Sequence, residues 1–372
     1  MERITLAPGA HINVLPAEKF NRCRISINFI WPAAREWATA EALLPLVLER
    51  GYQGCPDMTE LSKKLARLYG AALSVDGTMS GQSRVLTVSL SGIRDAFALA
   101  GEPLSREYAD IAFGTAFEPY RVDGVLDAEA VAIEKEQLRE LLEGEINEKR
   151  SYCIRQARRR FYGDSPAGIE RNGYLDEVDG LTADAVTRAY ARMVEQAQIE
   201  VFVLGADVDA VAQRLRAALS GLRRAPEELP APIAMPAEEP RSFEEPLPTV
   251  QGKLCMLFTP GEPFAPQDLS ALRVAVALLG GGPRTLTELE EKGISRAVLD
   301  NLCTKGVLEC TKVNKSIDLY ASIPLQNEPI VLTQEQQAAY DALLPKLEDA
   351  VPHSALLYGV TGSGKTLVFL KL

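Results

Sequence analysis

The sequence predicts an α+β fold in which one sheet packs against one layer of helices. Short segments that alternate apolar and polar residues, as strands do, are followed by longer segments with apolar residues at helical spacing. Groups of strands set between helices indicate antiparallel pairing and a sandwich of these two layers. The chain has 372 residues, 47% hydrophobic and 24% charged, which is enough for two or three globular domains.

Residues 1–220 are predicted to form one complete lobe of this kind. Its strand segments are 4–6, 11–15, 23–31, 73–79, 84–90 and 199–204. Its helical segments are 39–49, 57–69, 127–161, 182–194 and 208–219. Asp57 and Thr182 are the expected N-caps of two helices, because their side-chain oxygens can accept from the free amides of the first turn. The apolar stripe of the longest helix includes Val131, Leu138, Leu141 and Ile146.

Proline and glycine mark the next boundaries. Residues 221–250 hold seven of the 23 prolines, which disfavours helix and sheet and predicts an extended linker. A strand at 253–258 and a helix at 267–279 then begin a second lobe, 251–283, which stops at the sequence GGGP of residues 280–283. Segments 285–292 and 295–305 have helix–turn–helix spacing in a region spanning 284–328. The last region, 329–372, begins with a helix to about residue 347 and a strand at 354–358.

Composition excludes several classes of protein. The two histidines, His11 and His353, lie too far apart for the paired-histidine motifs of helical zinc proteases. The six cysteines form no C-x-x-C pair, which excludes zinc-ribbon and thioredoxin motifs. A net charge of −11 disfavours general binding of polyanions. No signal peptide or membrane-length apolar run is present, so we expect a cytoplasmic protein without a membrane partner.

The strongest motif is GVTGSGKT at residues 359–366, which fits the phosphate-binding pattern G-x-x-x-x-G-K-[ST]. An apolar strand segment precedes it and a helical segment follows, so backbone amides and the helix N-terminus can close around phosphates. Lys365 is expected to contact the β- and γ-phosphates, and the Thr366 hydroxyl to hold Mg²⁺. ATP and Mg²⁺ are therefore the expected cofactors. The expected ATP contacts are Gly359, Thr361, Gly362, Ser363, Gly364, Lys365 and Thr366.

Hydrolysis of ATP is not expected from the printed sequence. A P-loop motor needs an acidic residue on a second strand for Mg²⁺ and a group that activates water. The sequence ends at Leu372, six residues after the motif. We therefore expect at most weak nucleotide binding and no sustained turnover.

The last ninety or so residues resemble the replication-restart helicase, primosomal protein N′. The similar segments are 286–299 (LTELEEKGISRAVL), 332–336 (LTQEQ) and 356–366 (LLYGVTGSGKT). The resemblance implies a DNA-binding, winged-helix-like segment at 284–328 and the first strand, loop and helix of a helicase domain at 329–372. It also places Gln336 at the adenine of ATP. The DNA-binding region before the winged helix, the later helicase motifs and the cysteine-rich zinc region have no counterpart in this sequence.

Residues 1 to about 283 resemble the insulinase-type (pitrilysin-like) metallopeptidases. The similar segments are 43–51 (LLPLVLERG), 65–71 (LARLYGA), 161–166 (FYGDSP) and 181–184 (LTAD), with the Gly-rich signature at 280–283. The three family positions that carry His, Glu and His fall on Ala42, Pro45 and Leu46. The resemblance therefore implies the catalytically silent branch, without zinc, whose members serve as partner subunits. The resemblance places the family's third metal ligand near the carboxylates of the next long helix, which are Glu129, Glu134 and Glu136. Without the two histidines, these carboxylates are interpreted as a solvated helix face.

Together these resemblances imply a chimeric reading frame, whether natural or from sequence assembly. The expected function is a non-catalytic, insulinase-like scaffold fused to an ATP-binding fragment of a primosomal helicase. The alternative is an ATP-dependent DNA helicase of the primosomal protein N′ type, truncated in this chain. A zinc peptidase is excluded, because too few histidines are present.

Overall fold

The structure, a computed structural model, describes residues 2–17, 19–232, 235–236, 239, 241–247, 252–257, 259, 261, 296, 299–300, 331–347, 355–357 and 365–371. The chain divides into two units, Met1–Leu272 and Arg273–Leu372. The first unit contains the predicted sheet and helix layers. The predicted boundaries at residues 220, 250, 283 and 328 stay predictions.

A six-stranded sheet organises the first unit. Its strands are β1 (Glu2–Ala7), β2 (Ala10–Leu15), β3 (Arg22–Pro32), β4 (Ala72–Ser80), β5 (Ser83–Ile93) and β8 (Gln198–Leu204). They lie in the order β1-β2-β8-β3-β5-β4, and every neighbouring pair is antiparallel except β2 with β8. Strands β6 (Arg121–Val122) and β7 (Val125–Leu126) form a separate small hairpin. All six predicted strand segments of this lobe are confirmed.

The central strand shows why the sheet takes helices on one face. In β3 the residues that alternate inward are fully buried, from Cys23 through Ile27 to Trp31. The residues between them include Arg24 and Asn28, which lie on the polar face and bond to neighbouring strands. Alternation of period two therefore places the fully buried residues of β3 on the side that the helices cover.

Eight helices of the first unit and two of the second have bounds within the described residues. They are α1 (Ala38–Glu49), α2 (Met58–Arg67), α3 (Leu104–Phe117), α4 (Ala128–Gly144), α5 (Lys149–Tyr162), α6 (Leu175–Val178), α7 (Ala183–Gln196), α8 (Val208–Leu219), α9 (Gln334–Leu347) and α10 (Lys365–Lys371). Both predicted N-caps are confirmed: Asp57 accepts from the Glu60 amide at 2.8 Å, and Thr182 accepts from the Ala185 amide at 3.2 Å. Helix α3 was not predicted.

The single long helix predicted at 127–161 is wrong. Helix α4 ends at Gly144, a short 3₁₀ turn follows, and Glu148 leaves the helical region with φ −88° and ψ 82° before α5 begins. Gly144, a poor helix former, is the last residue of α4. The predicted apolar stripe holds only in the first part of α4: Val131 and Leu138 are buried, whereas Leu141, near the end of α4, and Ile146, after it, are exposed.

The predicted linker has no helix or strand in its described residues, as its prolines require. It is nevertheless anchored where it begins. The Arg224 guanidinium donates to the carbonyls of Val194 and Ala197, and the Ala225 amide donates to the Glu195 carbonyl at 3.0 Å. The first residues of the predicted extended linker are therefore bonded to the end of α7.

Few residues after residue 250 are described, so few predictions for this part of the chain can be compared with the structure. Helix α9 confirms the helix predicted after residue 332. Residues 253–257 and 355–357 form no strand, against the strands predicted at 253–258 and 354–358. Residues 296, 299 and 300 are helical, within the segment predicted as the second helix of the helix–turn–helix pattern. The helix at 267–279 and the one at 285–292 lie outside the described residues.

Candidate functional site

The three zinc-peptidase positions lie on α1, in the core of the first unit. Ala42 and Pro45 are buried and Leu46 is half-buried, and none of them carries a nitrogen, oxygen or sulfur atom that could bind a metal. Pro45 packs closely on β4, since a Cβ atom added to Gly77 would lie 3.1 Å from Pro45 Cγ. Among the described residues, no cluster of three or more His, Cys, Asp or Glu side chains could hold a metal ion. The residues at this site do not fit zinc.

The carboxylates of α4 do not form one solvated face, and that interpretation is wrong for Glu134. Glu129 and Glu136 are exposed, and Glu136 pairs on the surface with Arg139 at 3.2 Å. Glu134 is only 4% exposed, and its Oε1 accepts from Arg50 Nη1 at 2.7 Å. This ion pair joins the end of α1 to α4 beside the metal-free positions.

Replacement of Arg50 by methionine is expected to lower the free energy of unfolding by about 2 kcal/mol, because the Glu134 carboxylate then stays buried without its strongest donor. Methionine keeps most of the apolar stem of arginine, which isolates the effect of the charge. Lys63→Met is the matched control, since Lys63 pairs with Glu60 on the surface and is expected to change stability by less than about 0.5 kcal/mol. Urea unfolding of the two variants compares these values. Equal losses would contradict a special role for the buried pair.

A cleft of about 600 Å³ opens beside this ion pair. The end of α1 and the first turns of α2 and α4 line it, and its polar walls include Arg50, Asp57 and Asp127. Both aspartates already cap their own helices: Asp57 accepts from Glu60, and Asp127 accepts from Ala130 at 3.2 Å. The described walls therefore contain no pair of uncommitted carboxylates of the kind needed for acid–base hydrolysis.

A buried ionic network next to the metal-free positions was missed by the sequence analysis. Glu41, 1% exposed, accepts from Trp31 Nε1 at 2.9 Å and from Arg192 Nη1 at 2.5 Å. Arg84, 3% exposed, lies 3.8 Å from the other carboxylate oxygen and donates to the Arg171 carbonyl at 3.0 Å. A glutamate within the apolar sequence of α1 was the available signal, because isolated buried charges need partners.

Burial dominates the electrostatics of this network. Burial raises the pKa of the Glu41 carboxyl, and the charge of Arg84 opposes that rise. Burial also lowers the pKa of the Arg84 guanidinium to about 10, against the opposing effect of Glu41. In both groups burial disfavours the charged form, and the charge of the partner favours it. The network links β3, α1, β5 and α7, and we assign it to the architecture of the unit.

Most of the predicted nucleotide site lies outside the described residues. This applies to Gly359, Thr361, Gly362, Ser363 and Gly364. Lys365 and Thr366 form the first turn of α10. The Gln336 side chain accepts from the Thr333 amide at 3.0 Å, and Thr333 Oγ1 accepts from the Gln336 amide at 3.4 Å, which is the geometry of a capping box at the start of α9. Lys371 of α10 lies 5.5 Å from the Tyr340 ring of α9, so the two helices are neighbours.

Comparisons with known proteins agree with the peptidase-like architecture. The family model described as Peptidase M16 inactive domain matches residues 180–307. A protein of Bacillus subtilis (strain 168), named "Probable inactive metalloprotease YmfF", is 25% identical over 277 residues, which are 73% of this chain and 64% of that protein. The crystal structure of a conserved protein from Enterococcus faecalis V583 aligns with a TM-score of 0.59 and 23% identity, over 64% of this chain and 56% of that one. This chain thus spans about 64% of the length of its curated relative.

By sequence the chain is similar to inactive insulinase-type (M16) peptidase homologues. The alignment with the solved structure supports a mixed α/β fold. These matches give no support to a primosomal protein N′ segment, to a chimera, or to ATP or DNA binding. The inactive-domain match continues past Pro283 to residue 307, over residues that the helicase resemblance also includes. In the described parts of the chain, no helix is both long and apolar enough to cross a bilayer.

Proposed function

We propose that this chain is a non-catalytic, insulinase-like scaffold that acts as a partner subunit of a catalytic peptidase of the same family. The observation that carries the proposal is α1, where Ala42, Pro45 and Leu46 stand in a fully formed helix packed on the sheet. The fold around the metal-free positions is complete, from the Arg50–Glu134 pair to the Glu41 network. A retained architecture without metal ligands supports a role in assembly rather than in hydrolysis.

The absence of hydrolysis is tested by metal content and peptidase activity. After washing with a chelator and dialysis against zinc, the protein is expected to hold far less than about one zinc ion per chain, because α1 offers no ligands. Hydrolysis of unstructured peptides is expected to equal the buffer blank, with an active zinc peptidase as positive control. About one retained zinc ion per chain, or hydrolysis abolished by the chelator, would overturn this part of the proposal.

The partner role is tested by co-expression with a catalytic insulinase-type subunit from the same genome. Size-exclusion chromatography with light scattering is expected to show one complex containing both chains. The complex should cleave peptides faster than the catalytic subunit alone. Independent elution of the two chains, with unchanged activity, would argue against the partner role.

A second proposal concerns residues 359–366, which we infer bind the phosphates of a nucleotide. The motif itself supports this, together with the start of α10 at Lys365, since a helix N-terminus adds a favourable dipole to phosphate contacts. Titration with MgATP is expected to show binding that Lys365→Ala weakens at least about tenfold, through loss of a charge-assisted bond. Lys371→Ala, on the same helix, is the matched control. Equal affinities in both variants would contradict the proposal. DNA binding by 284–328 stays a prediction.

A further inference from the structure

A groove separates α5 from the segment made of residues 241–247 and 252–257, which covers the end of the proline-rich region and the residues after it. The segment is held at one end by Glu245, whose Oε1 accepts from Tyr152 Oη at 2.7 Å. The Arg160 guanidinium lies 3.8 Å from the same carboxylate and 5.0 Å from the Phe243 ring centre. The cavity between the two walls has a volume of about 1180 Å³. The segment is therefore docked on α5 by polar and aromatic contacts, with room left beneath it.

Two cysteines face this cavity from opposite walls. Cys153 lies on the α5 face that lines the cavity, and its Sγ lies 3.6 Å from the Lys253 carbonyl oxygen. Cys255 lines the same cavity and is two residues further along the segment. Its neighbours Leu254 and Met256 are 83% and 59% exposed, whereas Cys255 is half-buried. Cys255 is therefore less exposed than the residues on either side of it, and it borders the same cavity as Cys153.

The electrostatics of the two thiols agree with this arrangement. Burial raises the pKa of Cys255, and the nearby Cys153 raises it further. The other described cysteines are placed differently: Cys23 is buried in β3 and donates to the Ile93 carbonyl at 3.4 Å, and Cys55 lies beyond the end of α1.

We propose that Cys153 and Cys255 are a reversible dithiol–disulfide pair that fastens the segment at 253–257 to α5. The oxidant is a low-molecular-weight disulfide such as glutathione disulfide. One cysteine thiolate attacks that disulfide and releases one glutathione thiol. The second cysteine thiolate then attacks the mixed disulfide and releases the second glutathione thiol. The protein loses two electrons and two protons, and glutathione disulfide is reduced to two thiols.

Oxidation has a defined structural consequence. The new bond closes a chain loop of about a hundred residues and removes the freedom of the segment to leave α5. The wall of the cavity that the segment supplies becomes fixed, so access to the α5 face depends on the redox state. The docking contacts of Glu245 already hold the segment near the position that the bond requires.

The full chain is equilibrated with graded ratios of reduced to oxidised glutathione, quenched by alkylation and mapped by non-reducing peptide mass spectrometry. The linked peptides of Cys153 and Cys255 are expected as the main oxidation product, while Cys23 and Cys55 are alkylated. Cys55→Ser should leave this product unchanged, and Cys153→Ser should replace it with glutathionylated or alkylated Cys255. Cys153 and Cys255 both alkylated at every ratio, or linked mainly to Cys303 or Cys310, would overturn the proposal.

A second measurement tests whether oxidation holds residues 253–257 against α5. Tryptic cleavage after Lys253 is expected to be at least about fivefold slower in the oxidised wild-type protein than in the reduced protein, because cleavage requires the segment to open locally. The oxidised and reduced Cys153→Ser variant should be cleaved at equal rates. Equal rates in the two forms of the wild-type protein would contradict the fastening.

Discussion

Replacement of Glu41 by alanine is expected to lower the free energy of unfolding of the first unit by about 3–5 kcal/mol. Glu41 is 1% exposed, and its carboxylate lies against both Arg84 and Arg192. Removal of the Glu41 carboxylate leaves the Arg84 guanidinium buried in the core without its paired carboxylate. It also leaves Trp31 Nε1 without the acceptor that it has at 2.9 Å.

Three further variants separate charge from packing. Glu41→Gln keeps an oxygen for Trp31 Nε1 and removes the charge, so its loss should be smaller than that of Glu41→Ala. The double variant Glu41→Leu/Arg84→Met should be more stable than Glu41→Ala, because no nearly fully buried ion is left unpaired. Glu36→Ala is the control, since Glu36 is exposed in the turn before α1.

The measurement is urea unfolding followed by tryptophan fluorescence. The chain has two tryptophans, Trp31 and Trp37, so the signal reports the first unit alone. A loss for Glu41→Ala within about 0.5 kcal/mol of that for Glu36→Ala would contradict the network as a major source of stability. The same result would weaken the interpretation that the metal-free positions sit in a rigid scaffold.

The sequence predicted the helix bounds and N-caps of the first unit that depend on residues close together in the chain. Helix α8 begins at Val208 and ends at Leu219, as its apolar spacing indicated, and Asp57 and Thr182 cap helices as their side chains allow. The parallel pairing of β2 with β8 could not be predicted in this way. It joins strands almost two hundred residues apart, and only the packing of the whole sheet selects it.

At the candidate site, too, some features could be predicted from the sequence and others could not. The lack of zinc ligands could be predicted, because the side chains of Ala42, Pro45 and Leu46 have no donor atoms in any fold. That Glu134 is buried and Glu136 exposed could not be predicted, since both are glutamates on one helix, two positions apart. Their burial differs because α1 covers one side of α4 and places Arg50 opposite Glu134. The burial of such a side chain depends on residues from distant segments of the chain that pack against it.

Helix α3 was missed because it lacks the contrast between faces on which helix prediction depends. Ten of its 14 residues are buried, so polar residues do not mark a solvent side clearly. It packs on β3, β5 and α8, where the Phe113 and Phe117 rings stack at 5.9 Å and Phe117 meets Phe29 of β3 at 5.2 Å. A helix enclosed in this way is stabilised by its tertiary contacts rather than by its own sequence.

Phe113→Ala is therefore expected to lower the free energy of unfolding of the first unit by about 3–5 kcal/mol, through lost burial and the cavity that remains. Phe113 is fully buried, and its loss also removes the aromatic stack with Phe117. Phe113→Leu should lose less than about 1.5 kcal/mol, because leucine refills much of the space. Phe97→Ala is the control, since that ring is 47% exposed.

Tryptophan-detected urea unfolding again gives the measurement, because α3 and both tryptophans belong to the same unit. The order of losses expected is Phe113→Ala, then Phe113→Leu, then Phe97→Ala. If Phe113→Ala and Phe97→Ala lost equal stability, α3 would not be the central core helix that its burial indicates. If instead the order holds, α3 contributes strongly to the stability of the first unit. The extensive burial that prevented its prediction from the sequence is then also the source of that stability.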